Sequence, residues 1–387
     1  MKYKDSPFGK IPESWNVAPI SEVTELVTDY VANGSFASLA ENVTYKDTED
    51  VAVLIRLVDY NNSFNGNYVF IDEHAYEFLK KSKLYGDEII ISNVGANVGT
   101  VFRCPHLPYK MSLAPNAIMV KFKENDTFYY FWLRSHAGQH MLHSIVTGSA
   151  QPKFNKTNFR DMLVPVPPQE QQDKIVSILQ PLEDKIEQNK KINKNLTQQA
   201  QAIYADIFIT NADPAWPLGH LSDLITVRYG KDHKKLDDGP FPVYGSGGVM
   251  RYVERPIYEK ESVLIPRKGT LNNVMYVNEP FWSVDTMFFT EMKHPDVAKF
   301  VFHFVKSKDL ASLNAGSAVP SMTTDILNAM ELSIPDAETL KRFESIVDPM
   351  YRAMKHNSEE SKKLAAVRDT LLPRLMSGEL DVSELDI

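Results

Sequence analysis

A long heptad pattern in the middle of the chain constrains the fold more than any other feature of the sequence. Between residues 165 and 208, mostly apolar side chains recur at alternating steps of four and three residues. The positions of this first seam are Ile175, Leu179, Leu182, Ile186, Asn189, Asn193, Leu196, Ala200, Ile203 and Ile207. This spacing is typical of a long helix that packs along another helix as a coiled coil.

The same pattern recurs after a shift of 168 residues, which takes Ile175 to Phe343. The second seam is Phe343, Val347, Met350, Met354, Asn357, Ser361, Leu364, Arg368, Leu371 and Leu375. Residues outside the seam also match under this shift: Gly148-Ser149-Ala150 with Gly316-Ser317-Ala318, Pro152 with Pro320, Pro167 with Pro335, and Pro181 with Pro349. The chain is therefore a tandem duplication with an internal pseudo-twofold repeat, and each half ends in a long helix.

Each predicted helix contains a proline, Pro181 in the first and Pro349 in the second. A proline inside a helix removes a backbone donor and clashes with the preceding turn. We therefore expect each helix to kink or to restart near its proline.

Composition narrows the class of protein. A chain of 387 residues has room for two or three domains. Its single cysteine, Cys104, excludes an intramolecular disulfide framework. We find neither a signal-peptide pattern nor an apolar run long enough to span a membrane. These features predict a soluble cytoplasmic protein without a membrane partner, and a net charge of −8 argues against a protein that coats nucleic acid.

The segments before each long helix contain short strand-like runs punctuated by glycine and asparagine. Trp216 in the second segment occupies the place of Trp15 in the first. The predicted fold class is mixed α/β, with two globular domains and two long antiparallel coiled-coil helices. The predicted boundaries are residues 1–165 for the first domain, 166–210 for the central helix, 211–336 for the second domain, 337–380 for the C-terminal helix, and 381–387 for a solvated acidic tail.

Motifs for catalysis are missing. An adenine methyltransferase needs an Asn/Asp-Pro-Pro-Tyr/Phe motif, whereas Pro167-Pro168 lies between valine and glutamine. A translocase needs a Gly-Lys-Ser/Thr loop, but Gly9-Lys10 and Gly230-Lys231 are followed by isoleucine and aspartate. We therefore predict no catalytic residues and no cofactor.

Metal binding is also disfavoured. His136, His140 and His143 have the spacing of one helix face, which a metal could use. No acidic or cysteine ligand lies near them in the sequence, and apolar residues surround them. We therefore predict no metal site.

Basic and hydrogen-bonding residues cluster in loops of both globular segments, as contact with phosphates and base edges would require. For each residue alone, a role as solvated surface remains an alternative. The candidates are Lys80, Lys81, Lys83, Arg103, Lys153, Asn155 and Lys156 in the first segment, and Lys231, His233, Lys234, Lys235, Arg251, Arg255, Arg267 and Lys268 in the second.

Several short phrases make the chain resemble the specificity subunit of type I restriction-modification systems over nearly its whole length. These phrases are Gly148-Ser149-Ala150-Gln151-Pro152, residues 164–171 (VPVPPQEQ), 185–191 (KIEQNKK), 200–204 (AQAIY), 241–248 (FPVYGSGG), and the stretch from Gly269-Thr270-Leu271 to residues 282–286 (WSVDT). The second helix departs from the pattern: Pro335 is followed by aspartate instead of a second proline, and Arg368 interrupts its apolar seam.

The resemblance implies two target-recognition domains, each reading one half of a split, asymmetric double-stranded DNA sequence. The antiparallel helices would act as a ruler between them, and the partners would be two methyltransferase subunits and motor-nuclease subunits. A duplicated reader with a rigid spacer also suits two half-sites on one face of a duplex, about 34 Å apart. The alternative is a coiled-coil adaptor that joins proteins without touching DNA.

The midpoint of each seam is polar. Antiparallel packing about a pseudo-twofold axis would bring the two midpoints together, and we expect Asn189, Asn193, Asn357 and Ser361 to meet there. Polar residues at a seam reduce stability but fix register, since a slip would leave buried amides without partners. We therefore predict that these residues set the helix-helix register.

Overall fold

The computed structural model describes residues 2–313 and 321–385. The repeated Gly316-Ser317-Ala318 and Pro320, and Asp386 of the predicted tail, lie outside the described residues. The chain divides into two compact units, which are Met1–Glu187 with Glu360–Ile387 (the first unit) and Gln188–Glu359 (the second unit). Each unit therefore combines one globular domain with parts of both long helices.

The first unit contains short strands and helices followed by one long helix. In chain order they are β1 (Tyr3–Ser6), β2 (Gly9–Pro12), β3 (Asn16–Pro19), α1 (Ile20–Val23), β4 (Thr24–Asp29), α2 (Phe36–Asn42), β5 (Ala52–Ile55), α3 (Leu57–Asn61), β6 (Val69–Ile71), α4 (Glu73–Phe78), β7 (Lys83–Leu84), β8 (Ile89–Ser92), β9 (Val101–Arg103), β10 (Lys110–Leu113), β11 (Ala117–Phe122), α5 (Asp126–Arg134), α6 (His136–Ser144), α7 (Lys156–Asp161), β12 (Leu163–Val166) and α8 (Gln169–Ala205), which continues into the second unit.

The second unit follows the same plan. Its elements are β13 (Leu218–His220), α9 (Leu221–Leu224), β14 (Ile225–Tyr229), β15 (Phe241–Gly245), β16 (Gly248–Val253), β17 (Ser262–Pro266), β18 (Met275–Val277), β19 (Trp282–Ser283), β20 (Met287–Met292), α10 (Ala298–Lys306), α11 (Thr324–Asn328), β21 (Glu331–Ser333) and α12 (Ala337–Met376), which continues into the first unit. A π-helical turn, Asp206–Thr210, follows α8.

Each globular domain is built around a four-stranded antiparallel sheet of the same topology. The strand order is β4-β11-β8-β9 in the first unit and β14-β20-β17-β18 in the second. All four side chains of β8 and all five of β17 are buried, because these strands are covered on both faces. The first domain adds a second sheet of order β6-β5-β10-β7, whereas the second adds a sheet of order β16-β15-β19. The predicted mixed α/β class with an internal repeat and two long helices is confirmed.

The long helices run through their prolines. Pro181 lies inside α8, a helix of 37 residues, and Pro349 lies inside α12, a helix of 40 residues. The expected restart at each proline is therefore wrong. Tertiary packing of the apolar face outweighs the lost backbone hydrogen bond, since Leu179 and Val347, two residues before each proline, are fully buried.

Within each unit the segments of α8 and α12 pack antiparallel. In the first unit Glu183 pairs with Arg368 at 2.7 Å. In the second unit Asn193 Nδ2 donates to the Met354 carbonyl at 3.1 Å, and the rings of Tyr204 and Phe343 lie 6.3 Å apart. No helix of the described residues is long and apolar enough to cross a membrane.

The residues after α12 pack on the first unit. Gly378 has a φ of +68°, a conformation that favours glycine and ends the helix. Val382 is 3% exposed in the core that contains Ile11 and Trp15. Ser383 accepts from Gln171 Nε2 at 3.1 Å through its hydroxyl. The prediction of a solvated tail is therefore wrong at Val382, because its apolar side chain is buried in this core, against which Leu380 also packs.

Candidate nucleic-acid interface

The equivalent sheets bring several loops together at one end of each domain. In the first unit, Asp29 at the end of β4 pairs with Ile118, and Ser92 at the end of β8 pairs with Ala117. The residues that extend these strands therefore share one end of the sheet. We call this end the first loop edge, and it contains Asp29, Asn93, Val94, Asn116 and Lys153.

The second unit has the same arrangement. Tyr229 at the end of β14 pairs with Phe288, and Pro266 at the end of β17 pairs with Met287. The second loop edge is the corresponding end of this sheet, and it contains Tyr229, Arg267, Lys268, Thr286 and Ser321.

Two backbone hydrogen bonds of the first loop edge have direct counterparts in the second. Asn93 N donates to Asn116 O at 3.1 Å, and Arg267 N donates to Thr286 O at 2.9 Å. Phe154 N donates to Asn93 O, as Met322 N does to Arg267 O. Asn93 and Arg267 therefore occupy equivalent positions.

Each edge also carries a backbone bridge with one lysine. The bridge joins Val94 to Lys153 in the first unit and Lys268 to Ser321 in the second. Both lysine side chains are exposed, and neither forms an ion pair with a described residue. The two lysines are not at equivalent positions. Lys153 is on the later segment of its bridge, whereas Lys268 is on the earlier segment of the other.

The other basic candidates of the first domain do not form one cluster: Lys156 joins the first loop edge through its ion pair with Asp29, whereas Arg103 does not. Arg103 donates to the Asp87 carbonyl at 2.9 Å, before the start of β8, so it lies at the opposite end of the sheet. Lys83 pairs with Glu77 at 2.6 Å, and Lys156 pairs with Asp29 at 2.8 Å. Lys80 and Lys81 are exposed after α4, and Asn155 caps α7 by accepting from Asn158 N.

In the second domain, Gly230 N donates to the Met287 carbonyl at 3.0 Å, which places the following residue, the exposed Lys231, at the second loop edge. Arg251 is held away by hydrogen bonds to the Leu236 carbonyl and to Asp238, each at 2.9 Å. The remaining candidates lie in loops or at a strand end and do not join this edge through a described contact: His233, Lys234, Lys235 and Arg255. DNA binding by these residues stays a prediction.

A cavity of about 590 Å³ lies beside the first loop edge and was not foreseen from the sequence. Its lining includes Asn93, Asn116 and the aromatic rings of Tyr30, Phe36 and Tyr45. Phe36 is 83% exposed. Val31 and Tyr45, which also line the cavity, are 41% and 51% exposed. An exposed apolar patch beside polar groups is typical of a binding surface, but no sequence pattern separates Phe36 from a core phenylalanine.

A charged cluster fixes the first domain to the helices. Glu183 on α8 pairs with Arg134 on α5 and, at 2.7 Å, with Arg368 on α12. Burial alone would raise the pKa of Glu183, but the two guanidinium groups outweigh it and hold the pKa below its ordinary value. Arg368, which interrupts the apolar seam, therefore has a structural role as a partner of Glu183.

The second domain is fixed to the helices by different groups. Lys299 on α10 is fully buried; its Nζ contacts Glu344 and lies 3.1 Å from Asp348 and 3.6 Å from Glu261. Burial alone would lower the pKa of Lys299, but these carboxylates raise it above its ordinary value.

A neutral hydrogen-bonded chain lies beside this cluster. His303 on α10 is 1% exposed, and its Nδ1 lies 2.7 Å from Gln201 Oε1 on α8. Because that oxygen can only accept, Nδ1 carries the proton and Nε2 accepts from the Tyr351 hydroxyl at 2.9 Å. Tyr351 in the second repeat corresponds to Glu183 in the first. At this position the contact is therefore a hydrogen bond in the second unit and ion pairs in the first.

His303 predicts a pH dependence of stability. Burial lowers its pKa to about 4 from an ordinary value of 6.5. Between these values the unfolded chain binds more protons, so stability falls as the pH drops from 6.5 to 4. The expected loss in the free energy of unfolding is about 3 kcal/mol.

Urea unfolding at several pH values, followed by tryptophan fluorescence, measures this loss. His303→Gln should flatten the dependence, whereas His294→Gln, on an exposed residue, should retain it. Equal slopes for wild type and His303→Gln would show that His303 does not cause the loss.

Polar residues at the midpoints of the two seams contact each other. Asn189 Nδ2 donates to the Asn357 carbonyl at 3.3 Å, and Asn357 Nδ2 donates to Asn193 Oδ1 at 2.9 Å. Asn189 is 1% exposed. Ser361 belongs to the first unit. That these residues set the register stays a prediction.

The histidines considered for a metal lie exposed on α6, and His143 Nδ1 bonds to the Gln139 carbonyl. Among residues 2–313 and 321–385, no three potential ligands are grouped to hold a metal ion. Burial raises the pKa of the Cys104 thiol, which is 2% exposed.

Comparison with known proteins identifies the family. The family model described as "Type I restriction modification DNA specificity domain" matches residues 12–198 and 215–366. The chain is 21% identical to the type I restriction enzyme MjaIX specificity subunit of Methanocaldococcus jannaschii, over 99% of this chain and 98% of the relative. It is 21% identical to the HindI specificity subunit of Haemophilus influenzae, over 82% and 84%.

The fold has a solved counterpart. The crystal structure of the type I restriction-modification S subunit from M. genitalium matches with a TM-score of 0.58 and 16% identity. The match covers 94% of this chain and 96% of that one. Because the family model matches both halves of the duplication, this chain belongs to the family of type I restriction-modification DNA specificity subunits.

Proposed function

We propose that each globular domain reads one half of a bipartite double-stranded DNA target. The observation that carries this proposal is the repeated loop edge, with one exposed lysine on each of two equivalent bridges. Lysine contacts to phosphate orient a protein on the duplex, and neighbouring side chains then read base edges. Two loop edges with the same backbone arrangement, one in each domain, would provide one reader for each half-site.

The long helices, in this proposal, set the separation of the half-sites, and the contacts among Asn189, Asn193 and Asn357 fix their register. The chain recruits two methyltransferase subunits and joins motor-nuclease subunits in the full complex in the cytoplasm. It carries no catalytic activity itself, since its sequence lacks methyltransferase and nucleotide-binding motifs.

Binding to duplex DNA tests the proposal against the adaptor alternative. The complex of the chain with its methyltransferase subunits is titrated with a target duplex over a range of salt concentrations. Affinity should fall linearly with the logarithm of salt concentration because phosphate contacts release counterions. Loss of affinity when either half-site is scrambled supports two readers. Equal affinity for target and fully scrambled duplex at every salt concentration would favour the adaptor.

Replacing the lysines of the 231–235 loop with alanine should weaken recognition of one half-site only. This loop belongs to the second domain, and Lys231 lies at the second loop edge. The measurement is the same titration with each half-site scrambled in turn. The variant should lose discrimination at one half and retain it at the other. Equal weakening at both halves would indicate one continuous DNA-binding surface.

A further inference from the structure

The two loop edges share one backbone frame but carry different side chains at equivalent positions. Asn93 corresponds to Arg267, and Asn116 corresponds to Thr286. Asp29 corresponds to Tyr229, because each ends the strand that pairs with β11 or β20. A conserved frame with exchanged side chains is the arrangement expected where two domains read different bases.

In the first domain the free amide is that of Asn116. Asn93 Nδ2 is engaged by the Phe154 carbonyl at 3.0 Å, and Asp29 is paired with Lys156. Asn116 is exposed, and its side chain has no hydrogen-bond partner among the described residues. An asparagine amide presents the donor and acceptor that match adenine N6 and N7 in the major groove.

Apolar surface lies beside this amide. Phe36 lines the same cavity as Asn116 and is 83% exposed. Phenylalanine can contact the thymine methyl group, which lies in the same groove as the adenine edge. An A·T base pair would therefore match both the Asn116 amide and the Phe36 ring.

In the second domain the available group is the guanidinium of Arg267. Its Nη1 donates to the Asp285 carbonyl at 3.1 Å, and the guanidinium lies 5.5 Å from the centre of the Tyr229 ring. These contacts orient the side chain, while Nε and Nη2 have no partner among the described residues. A pre-oriented arginine fork matches O6 and N7 of guanine.

From this geometry we propose that Asn116 reads an adenine in one half-site and that Arg267 reads a guanine in the other. Lys153 and Lys268, on the equivalent bridges, contact phosphates beside the base that is read. The inference rests on the proposed function, because it assigns bases to the two proposed readers.

The test is the methylated motif of a host that expresses the full chain with its methyltransferase subunits. Asn116→Gly removes the side chain without backbone strain, since φ is +68° there. It should make one A·T position of one half-site degenerate. Arg267→Ala should make one G·C position of the other half-site degenerate. Each loss of discrimination should be roughly 5- to 150-fold.

Matched controls lie at the opposite ends of the same sheets. Asp87→Gly changes another residue of positive φ, before the start of β8. Lys260→Ala removes an exposed positive charge before the start of β17. Both controls should leave the motif unchanged, and circular dichroism establishes that each variant is folded.

Asn116→Asp supplies an independent readout. It keeps the shape of the side chain, loses the donor, and should shift the preference at that position from A·T towards C·G, because a carboxylate accepts from cytosine N4.

If wild type directs a bipartite motif and that motif is unchanged in Asn116→Gly or in Arg267→Ala, the inference is overturned while the proposed function stands. Degeneracy of both variants in the same half-site would overturn it too. If wild type directs no bipartite motif, the proposed function fails, and the inference falls with it.

Discussion

Replacing Lys299 with methionine is expected to lower the free energy of unfolding of the second unit by about 3–5 kcal/mol. The Lys299 side chain is fully buried and neutralises carboxylates on α12. Removing the ammonium leaves Glu344, whose side chain is 19% exposed, without its buried partner, and leaves Asp348, 27% exposed, with the exposed Arg352 alone. Urea unfolding followed by tryptophan fluorescence measures the loss.

The control for Lys299 is Lys341→Met on α12, where the lysine is exposed. That substitution should change stability by no more than about 0.5 kcal/mol. Combining Lys299→Met with Glu344→Gln and Asp348→Asn should restore part of the loss, because uncompensated charge is its cause. A loss below about 1 kcal/mol in Lys299→Met would contradict this explanation.

Glu183→Gln is expected to destabilise the first unit by about 2–4 kcal/mol, because it leaves two guanidinium groups without their shared carboxylate. Arg134, Glu183 and Arg368 have side chains 26%, 20% and 17% exposed, so solvent screens the cluster only in part. The same unfolding measurement applies. Glu170→Gln, at a 79% exposed position of α8, is the matched control and should have a negligible effect.

The Glu183 cluster also predicts loss of stability in acid. The folded-state pKa of Glu183 lies below its ordinary value of 4.5. Its contribution is therefore fully present above pH 4.5 and is lost as the pH falls through the lower folded-state value. Glu183→Gln should lose less stability in this range than wild type. Identical acid profiles would remove the cluster as the cause.

The repeat and the long helices could be predicted because burial along them is periodic. Ile175, Leu179, Phe343 and Val347 are at most 1% exposed. These seam positions of the sequence therefore coincide with the buried faces of the helices. The prolines misled the prediction of a restart, because their local preference is weaker than the packing of Leu179 and Val347. The burial of Val382 could not be predicted, since the few apolar residues of this short acidic segment form no periodic pattern.

The loop edges were only partly predictable. The sequence predicts Lys153, Arg267 and Lys268 as basic loop residues, but their place at the two loop edges depends on the bridges that join residues 94 and 153 or 268 and 321. Arg103 was grouped with them on charge alone, and the structure places it at the other end of the sheet. Sequence proximity cannot distinguish the two ends of an antiparallel sheet.

If this duplicated chain directs recognition of a DNA target in two halves, it should determine which bases its methyltransferase subunits modify. The most direct measurement is sequencing of modified bases in a methylation-free host that expresses the chain with its methyltransferase subunits. We expect a methylated motif of two different half-sites with a fixed number of unspecified base pairs between them, and no methylation when the chain is omitted. Methylation that does not depend on the chain, or a motif without a fixed gap, would contradict it.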